Sequence, residues 1–205
     1  MRHQLFTIGH SAMEYAVFLK LLEQFAIKLV VDVRSRPQSQ RFPQFDRIEL
    51  EGSLRAAGIR YLFLGEELGG RPEDLKEYRR DGLVDYRTRR KSRLFASGIE
   101  RVSNELERDD LTLLCAEEDP LNCHRFLMIC PELAAMGIEP LHIRKGGIGE
   151  KQREAEDRLL QTQKMAAVAG ASLFSEDREA ALESAYIAQS EKCAFRIDPR
   201  ELEVW

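Results

Sequence analysis

Two thiols, an imidazole, three carboxylates and a guanidinium fall between Cys115 and Arg125, in the run Cys115-Ala116-Glu117-Glu118-Asp119-Pro120-Leu121-Asn122-Cys123-His124-Arg125. A thiolate can attack an electrophile or bind a metal, an imidazole can move a proton, and a guanidinium can hold an anion. Leu111 to Leu114 is an apolar run of strand length, Asp119-Pro120 marks a turn, and Asn122 has the character of a helix N-cap before Phe126, Leu127, Ile129 and Leu133. The stretch therefore reads strand, loop, helix. Cys115 ends the strand, and Cys123, His124 and Arg125 occupy the first helical turn, where free amides and the helix dipole favour anions and thiolates. On this reading Cys115 is the less exposed thiol and Cys123 the more electropositively placed one, while Cys130 and Cys193 are inert packing residues.

The elements that must position this loop are legible as alternating strands and helices. Gln4 to Ile8 is a strand, Gly9 permits a tight turn, His10 sits at the elbow, and Ser11 to Glu14 has the spacing of a capping box ahead of Tyr15, Phe18, Leu19, Leu22 and Phe25. Leu29-Val30-Val31-Asp32-Val33-Arg34 is a buried strand that runs into Ser35-Arg36-Pro37. A helix follows Asp46, Ile59 to Leu64 makes a third strand, and Gly69-Gly70-Arg71 reads as a turn. Leu94 to Leu106 is an amphipathic helix, and Glu139 to Ile143 is a fifth strand. This alternation predicts a three-layer α/β/α fold around a mainly parallel sheet of about five strands, with ligands at the carboxyl ends of the strands. His10, Ser11, Asp32, Arg34, Arg36, Arg71, Cys115, Glu117, Cys123, His124 and Arg125 all fall at those ends. His10, Asp32, Arg34, Cys115 and Arg125 are expected to line one cleft.

With 205 residues and 43% hydrophobic content, the chain can bury one substantial core. Residues 150–205 carry 8 Lys+Arg against 12 Asp+Glu, leaving 23 of each sign before them, so the main body is neutral. Such a balance argues against a broad nucleic-acid-coating face, and the basic run Arg87, Arg89, Arg90, Lys91 and Arg93 reads as a solvated loop and helix start. No apolar run approaches the roughly 20 residues of a membrane span, and the first residues lead into a strand and not a signal sequence, so a cytoplasmic, reduced protein is expected. Residues 1–149 are expected to form the α/β domain. Residues 150–205 should form a helical extension packed on it: helices over 150–164 and 177–189, a break at Ala169-Gly170-Ala171-Ser172, and Leu159, Leu160, Leu173, Phe174, Leu182, Tyr186 and Ile187 buried.

Thr7-Ile8-Gly9-His10-Ser11, Val31-Asp32-Val33-Arg34-Ser35-Arg36-Pro37, Leu68-Gly69-Gly70-Arg71 and Cys115-Ala116-Glu117 with Pro120 and Cys123-His124-Arg125 together resemble the domain of unknown function 488 family. Arg158-Leu159-Leu160 and Leu173-Phe174 resemble the tail of its longer members. The resemblance implies a bacterial or archaeal α/β domain and carries no established reaction.

Three chemistries suit the polar cluster. A cysteine nucleophile would use Cys115 or Cys123, with His10 or His124 moving protons, Glu117 beside them, and Arg34, Arg36, Arg71 and Arg125 with Asp32 and Ser11 forming an anion site. A metal centre would use Cys115, Cys123 and His124, with His10 or Asp32 completing the shell, although Cys-x7-Cys-His is not a usual zinc spacing, and no metal is assigned. In the third, the cysteines pack and Asp32 pairs with Arg34 structurally. The arginines favour the first, an enzyme acting on a phosphate-bearing or other small anionic molecule. The alternatives are a nucleotide or nucleic-acid binding module without catalysis, and a metal-binding protein.

Overall fold

The apolar β-branched runs become parallel strands: β1 (Leu5–Gly9), β2 (Leu29–Asp32), β3 (Arg60–Phe63), β4 (Leu111–Cys115) and β5 (Leu141–Arg144). The computed structural model describes residues 3–38, 41–166 and 175–202. A sixth strand, β6 (Ile148–Lys151), pairs antiparallel with β5 at the sheet edge, giving the order β3-β2-β4-β1-β5-β6. It was not expected, because Ile148-Gly149-Glu150-Lys151 has neither apolar alternation nor length, and only the Gly146-Gly147 turn brings it back beside β5. The expected boundary between residues 149 and 150 falls inside this strand.

Period-two alternation sends Leu5, Leu29, Val31, Leu111 and Leu113 to one face and Phe6, Ile8, Val30 and Leu114 to the other. The second face is covered by α1 (Tyr15–Gln24) and α2 (Arg47–Ala56) through Phe18, Leu22, Leu50 and Leu54, all fully buried. Short helices α3 (Gly65–Leu68) and α4 (Tyr86–Arg90) lead to α5 (Arg93–Leu106), which covers the first face with α6 (Cys130–Ala135), α7 (Gln152–Thr162) and α8 (Ser175–Cys193). The result is a three-layer α/β fold.

Two local expectations are corrected. Ser11 does not cap a helix: its amide extends the β1–β4 ladder by donating to Ala116 O at 2.8 Å, its φ is 44°, and α1 starts only after Glu14. The basic run before α5 is not wholly solvated, since Arg89 is buried, ion-paired with Glu77, and donates from one terminal nitrogen, Nη2, to the carbonyls of Glu66 and Glu67.

In the C-terminal segment, α8 lies against α7 with Ala181 and Ala185 buried, and Gln189 donates to Leu121 O and Asn122 Oδ1, both at 3.1 Å. Ile187, expected to be buried, is exposed on α8, while the expected break at residues 169–172 and the expected burial of Leu173 and Phe174 lie outside the described residues. A chain ended at Lys164 loses this cover and uncovers Leu159 and Leu160, each worth roughly 1.5–3 kcal/mol when buried. Its melting temperature should fall and its binding of an apolar dye should rise. An unchanged melting temperature in a monodisperse truncated chain would show that α8 adds nothing to the core.

Candidate functional site

The carboxyl ends of β2, β4 and β1 are adjacent in the sheet, and a cleft of about 1000 Å³ opens over them. Gly9 ends β1 because the next strand's loop passes directly over it: a Cβ there would stand 1.6 Å from Glu117 O. His10 N donates to Cys115 O at 3.0 Å and continues the ladder into the loop. Underneath, Arg125 donates to Glu117 O at 2.6 Å, to Glu118 O at 2.9 Å and to Thr7 Oγ1 at 3.3 Å. Arg125 is only 1% exposed and does not line the cleft, so the expectation that it binds an anion directly is not met: its donors shape the loop instead.

The carboxylates of this loop are sorted by their partners. Glu118 accepts from Arg144 Nε and Nη2, both at 3.1 Å, and Asp119 accepts from both terminal nitrogens of Arg158 at 2.8 Å. Glu117 alone turns inward, where Cys115 Sγ donates to its Oε2 over 3.1 Å. Burial would raise the Glu117 carboxyl, but hydrogen bonds from the Cys123 and Cys115 thiols hold it below the ordinary range.

Cys123 is not in a first helical turn. Asp119 caps a 3₁₀ turn over Pro120–Asn122, Cys123 is extended with φ −134° and ψ 138°, and its carbonyl receives the amides of Phe126 and Leu127, both at 3.1 Å. A wide π turn over Arg125–Ile129 then joins α6. This swings the Cys123 side chain inward to 1% exposure, and burial pushes its thiol well up, which reverses the expectation of an electropositive, reactive Cys123. Cys115, 3% exposed, lines the cleft and Cys123 does not. Cys193, expected to be inert, is half-buried on the cleft wall.

His124 Nε2 lies 3.0 Å from Val33 O, so this nitrogen carries a proton and Nδ1 points to the sulfurs, 3.6 Å from Cys115 Sγ and 3.9 Å from Cys123 Sγ. Burial would lower the imidazole, but the Cys123 sulfur, the Glu117 carboxylate and the Val33 carbonyl outweigh it and raise it. Gly70 fixes the ring from above. A Cβ on Gly70 would sit 3.0 Å from His124 Cγ, so close approach, and not the expected turn, is why glycine stands there.

On the other side, Asp32 is wholly buried and does not line the cleft. It pairs with Arg34 through Nε at 2.9 Å and Nη2 at 2.6 Å, and accepts from Tyr61 Oη at 2.7 Å. Arg34 Nη1 donates to His10 Nε2 at 3.2 Å, which leaves the His10 proton on Nδ1, 2.9 Å from Ser11 O. Burial first, then Arg34, lowers His10 to about 4. His10 and Arg34 do line the cleft beside Cys115, together with Ser11, Arg36 and Arg71. Arg41 on the cleft rim was not anticipated, since it lies in a polar loop without any periodic signal. Among the described residues, Arg36, Arg41 and Arg71 have no carboxylate partner, whereas Arg196 on the same wall pairs with Asp81. Arg71 lies 4.4 Å over the Phe195 ring and Arg41 5.5 Å over Phe42.

Residues 14–129 match the family model for the domain of unknown function DUF488. The chain belongs to that family. The DUF488 match takes in every site residue from Asp32 to Arg125 and leaves His10, Ser11 and the wall at residues 193–196 outside it. No curated protein and no solved structure matches the chain.

Two outcomes follow from burial. His10 and His142 are both held neutral, lowered to about 4, His142 by burial and then by Arg125 while it bridges Thr7 Oγ1 at 2.8 Å and Gln152 Oε1 at 3.0 Å. Folded values below the ordinary 6.5 mean that this stability is complete above about pH 6.5 and is lost as pH falls towards 4, at about 1.4 kcal/mol per pH unit per histidine. His142→Gln should flatten the fall in unfolding free energy by one histidine's share, and an unaltered slope would show that His142 does not titrate there. With chelator present, iodoacetamide should modify Cys193 first and Cys115 next, leaving Cys123 and Cys130 protected until the protein unfolds; mass mapping that finds Cys123 ahead of Cys115 would contradict the arrangement.

Proposed function

We propose that this DUF488 protein is an enzyme acting on a small phosphate-bearing or otherwise anionic molecule, nucleotides included. In this reading the reacting groups are Cys115, His124 and Glu117, and the anion is held by Arg36, Arg41 and Arg71. One juxtaposition carries the reading: three arginines without carboxylate partners among the described residues face a cleft whose floor holds a thiol in contact with both an imidazole and a carboxylate. Guanidinium groups gathered in one concave site repel each other unless an anion joins them. The floor has the order of a reactive centre, since Cys115 contacts two proton acceptors and His124 is oriented by the Val33 carbonyl behind it.

Arg34 supports the site from within its pair with Asp32, and His10, neutral and hydrogen-bonded on both nitrogens, orients Arg34 more than it moves protons. A binding module without catalysis would need the arginines but not the floor. Four free thiols suit a reducing cytoplasm, and among the described residues no helix is long and apolar enough to cross a membrane.

Calorimetry with inorganic phosphate and nucleoside phosphates tests the anion site. Arg71→Ala and Arg36→Ala should each weaken binding by about 1.5–3 kcal/mol, the range for charge-assisted hydrogen bonds. Cys115→Ser should retain binding and lose turnover of any phosphate-bearing compound the wild type converts. Unchanged affinity in both arginine variants would remove the anion site, and full turnover by Cys115→Ser would leave a binding module.

A further inference from the structure

We propose that Cys115 Sγ, Cys123 Sγ and His124 Nδ1 bind one divalent ion of the zinc class, with the fourth coordination position open to the arginine-lined cleft. The three donor atoms lie within 4.8 Å of one another and come from residues that are all buried. A tetrahedral ion bonded at about 2.3 Å to sulfur and about 2.0–2.1 Å to nitrogen sets sulfur and nitrogen about 3.5 Å apart. The observed separations, 3.6 and 3.9 Å, need only a few tenths of an ångström of closure.

Hydrogen bonding accounts for the same group less well. Cys115 Sγ already donates to Glu117 Oε2, so the single Nδ1 lone pair of His124 faces two sulfurs without receiving the Cys115 proton. A metal ion satisfies both sulfurs and the nitrogen together. The His124 ring is already arranged as metal-bound imidazoles usually are, with its other nitrogen donating to a backbone carbonyl, Val33 O at 3.0 Å, and with Gly70 packed on its face.

Charge balance points the same way. Two thiolates neutralise a dication, so loading leaves Glu117 and Arg125 as the remaining opposite charges at the floor, as before. Loading needs only that each thiol give up its proton to solvent as the ion enters. Thiolate and imidazole donors select a borderline-soft ion such as zinc over magnesium or calcium. Three protein ligands with an open fourth position is the arrangement of catalytic and not structural zinc. Cys115, His124 and Glu117 line the cleft while Cys123 closes the site from beneath. Glu117, 3.1 Å from Cys115 Sγ, is then placed beside the ion, where its carboxylate can accept a proton from a water held at the open position.

The open position serves the anion only on the reading given under Proposed function, whereas the ion's binding stands on the three donors alone. The test is therefore metal content and spectrum of the full chain, read apart from phosphate binding. Protein purified without chelator should carry about one zinc per chain. Cobalt(II) added to chelated protein should give visible bands of tetrahedral intensity and a sulfur-to-cobalt charge-transfer band in the near ultraviolet. Cys115→Ser and Cys123→Ser should each lose zinc affinity by more than the about 10–100-fold that removal of an outer-shell partner costs, and Cys193→Ala should keep it. Iodoacetamide should reach Cys115 only after the zinc is removed. Cobalt spectra on the wild type decide the matter even if Cys123→Ser does not fold. No zinc in the purified protein together with no thiolate-to-cobalt band overturns the site. Zinc bound normally while phosphate affinity ignores Arg36→Ala and Arg71→Ala would keep the metal and overturn the anion reading instead.

Discussion

A guanidinium sealed under the sheet's carboxyl edge must find hydrogen-bond acceptors there, because a buried cation without partners carries a penalty of several kcal/mol. Arg125 finds them in the carbonyls of Glu117 and Glu118 and in the Thr7 hydroxyl. Those contacts fold the chain after β4 back over Gly9, where only a glycine leaves room for the Glu117 carbonyl. The path of that loop then decides which side chains face the cleft. Cys115 stays at the strand end, Glu117 points in, and Cys123 and His124 arrive from the far side at sulfur-to-nitrogen distances below 4 Å.

The loop's remaining charges are drawn outward by later parts of the chain. Arg144 at the end of β5 takes Glu118, and Arg158 on α7 takes Asp119 and also Glu150 of β6. The C-terminal segment thus positions the site from two directions. It anchors the acidic loop through α7, and through α8 it supplies the wall at Cys193 to Arg196, where Val84 N donates to Phe195 O at 3.0 Å. The added helices and the cleft are coupled by these ion pairs and this strand-like contact, even though the tail itself lines only one wall.

Much of this was legible from residue order. Parallel strands buried on both faces read as continuous β-branched runs, and polar residues at their carboxyl ends gather by topology alone, which is why His10, Arg34, Cys115 and His124 could be grouped from positions far apart in sequence. What could not be read is the direction of individual side chains around one irregular segment. A 3₁₀ turn followed by an extended Cys123 and a π turn rotates the helix start away from the phase an ordinary N-cap at Asn122 would give. Arg125 and Cys123 therefore turn into the core. Gly70 was misread for a related reason: its glycine answers to the His124 ring, a contact made across more than fifty residues and invisible to a local turn rule.

The dimensions of the cleft bear on the kind of anion it would take. About 1000 Å³ is the upper end of the range for small-molecule sites, and inorganic phosphate would fill a small part of it. The arginines are also not bare charges: Arg71 lies on Phe195 and Arg41 near the face of Phe42, which holds each guanidinium plane while leaving its edge to donate. Tyr86 adds a third ring to the lining. An occupant that satisfied both features would present an anionic group to the guanidinium edges and a flat or apolar body to the rings, with its reacting atom at Cys115, Glu117 and His124. On the proposed reading, affinity should therefore rise from inorganic phosphate to nucleoside phosphates, because only the latter bury aromatic surface as well as charge.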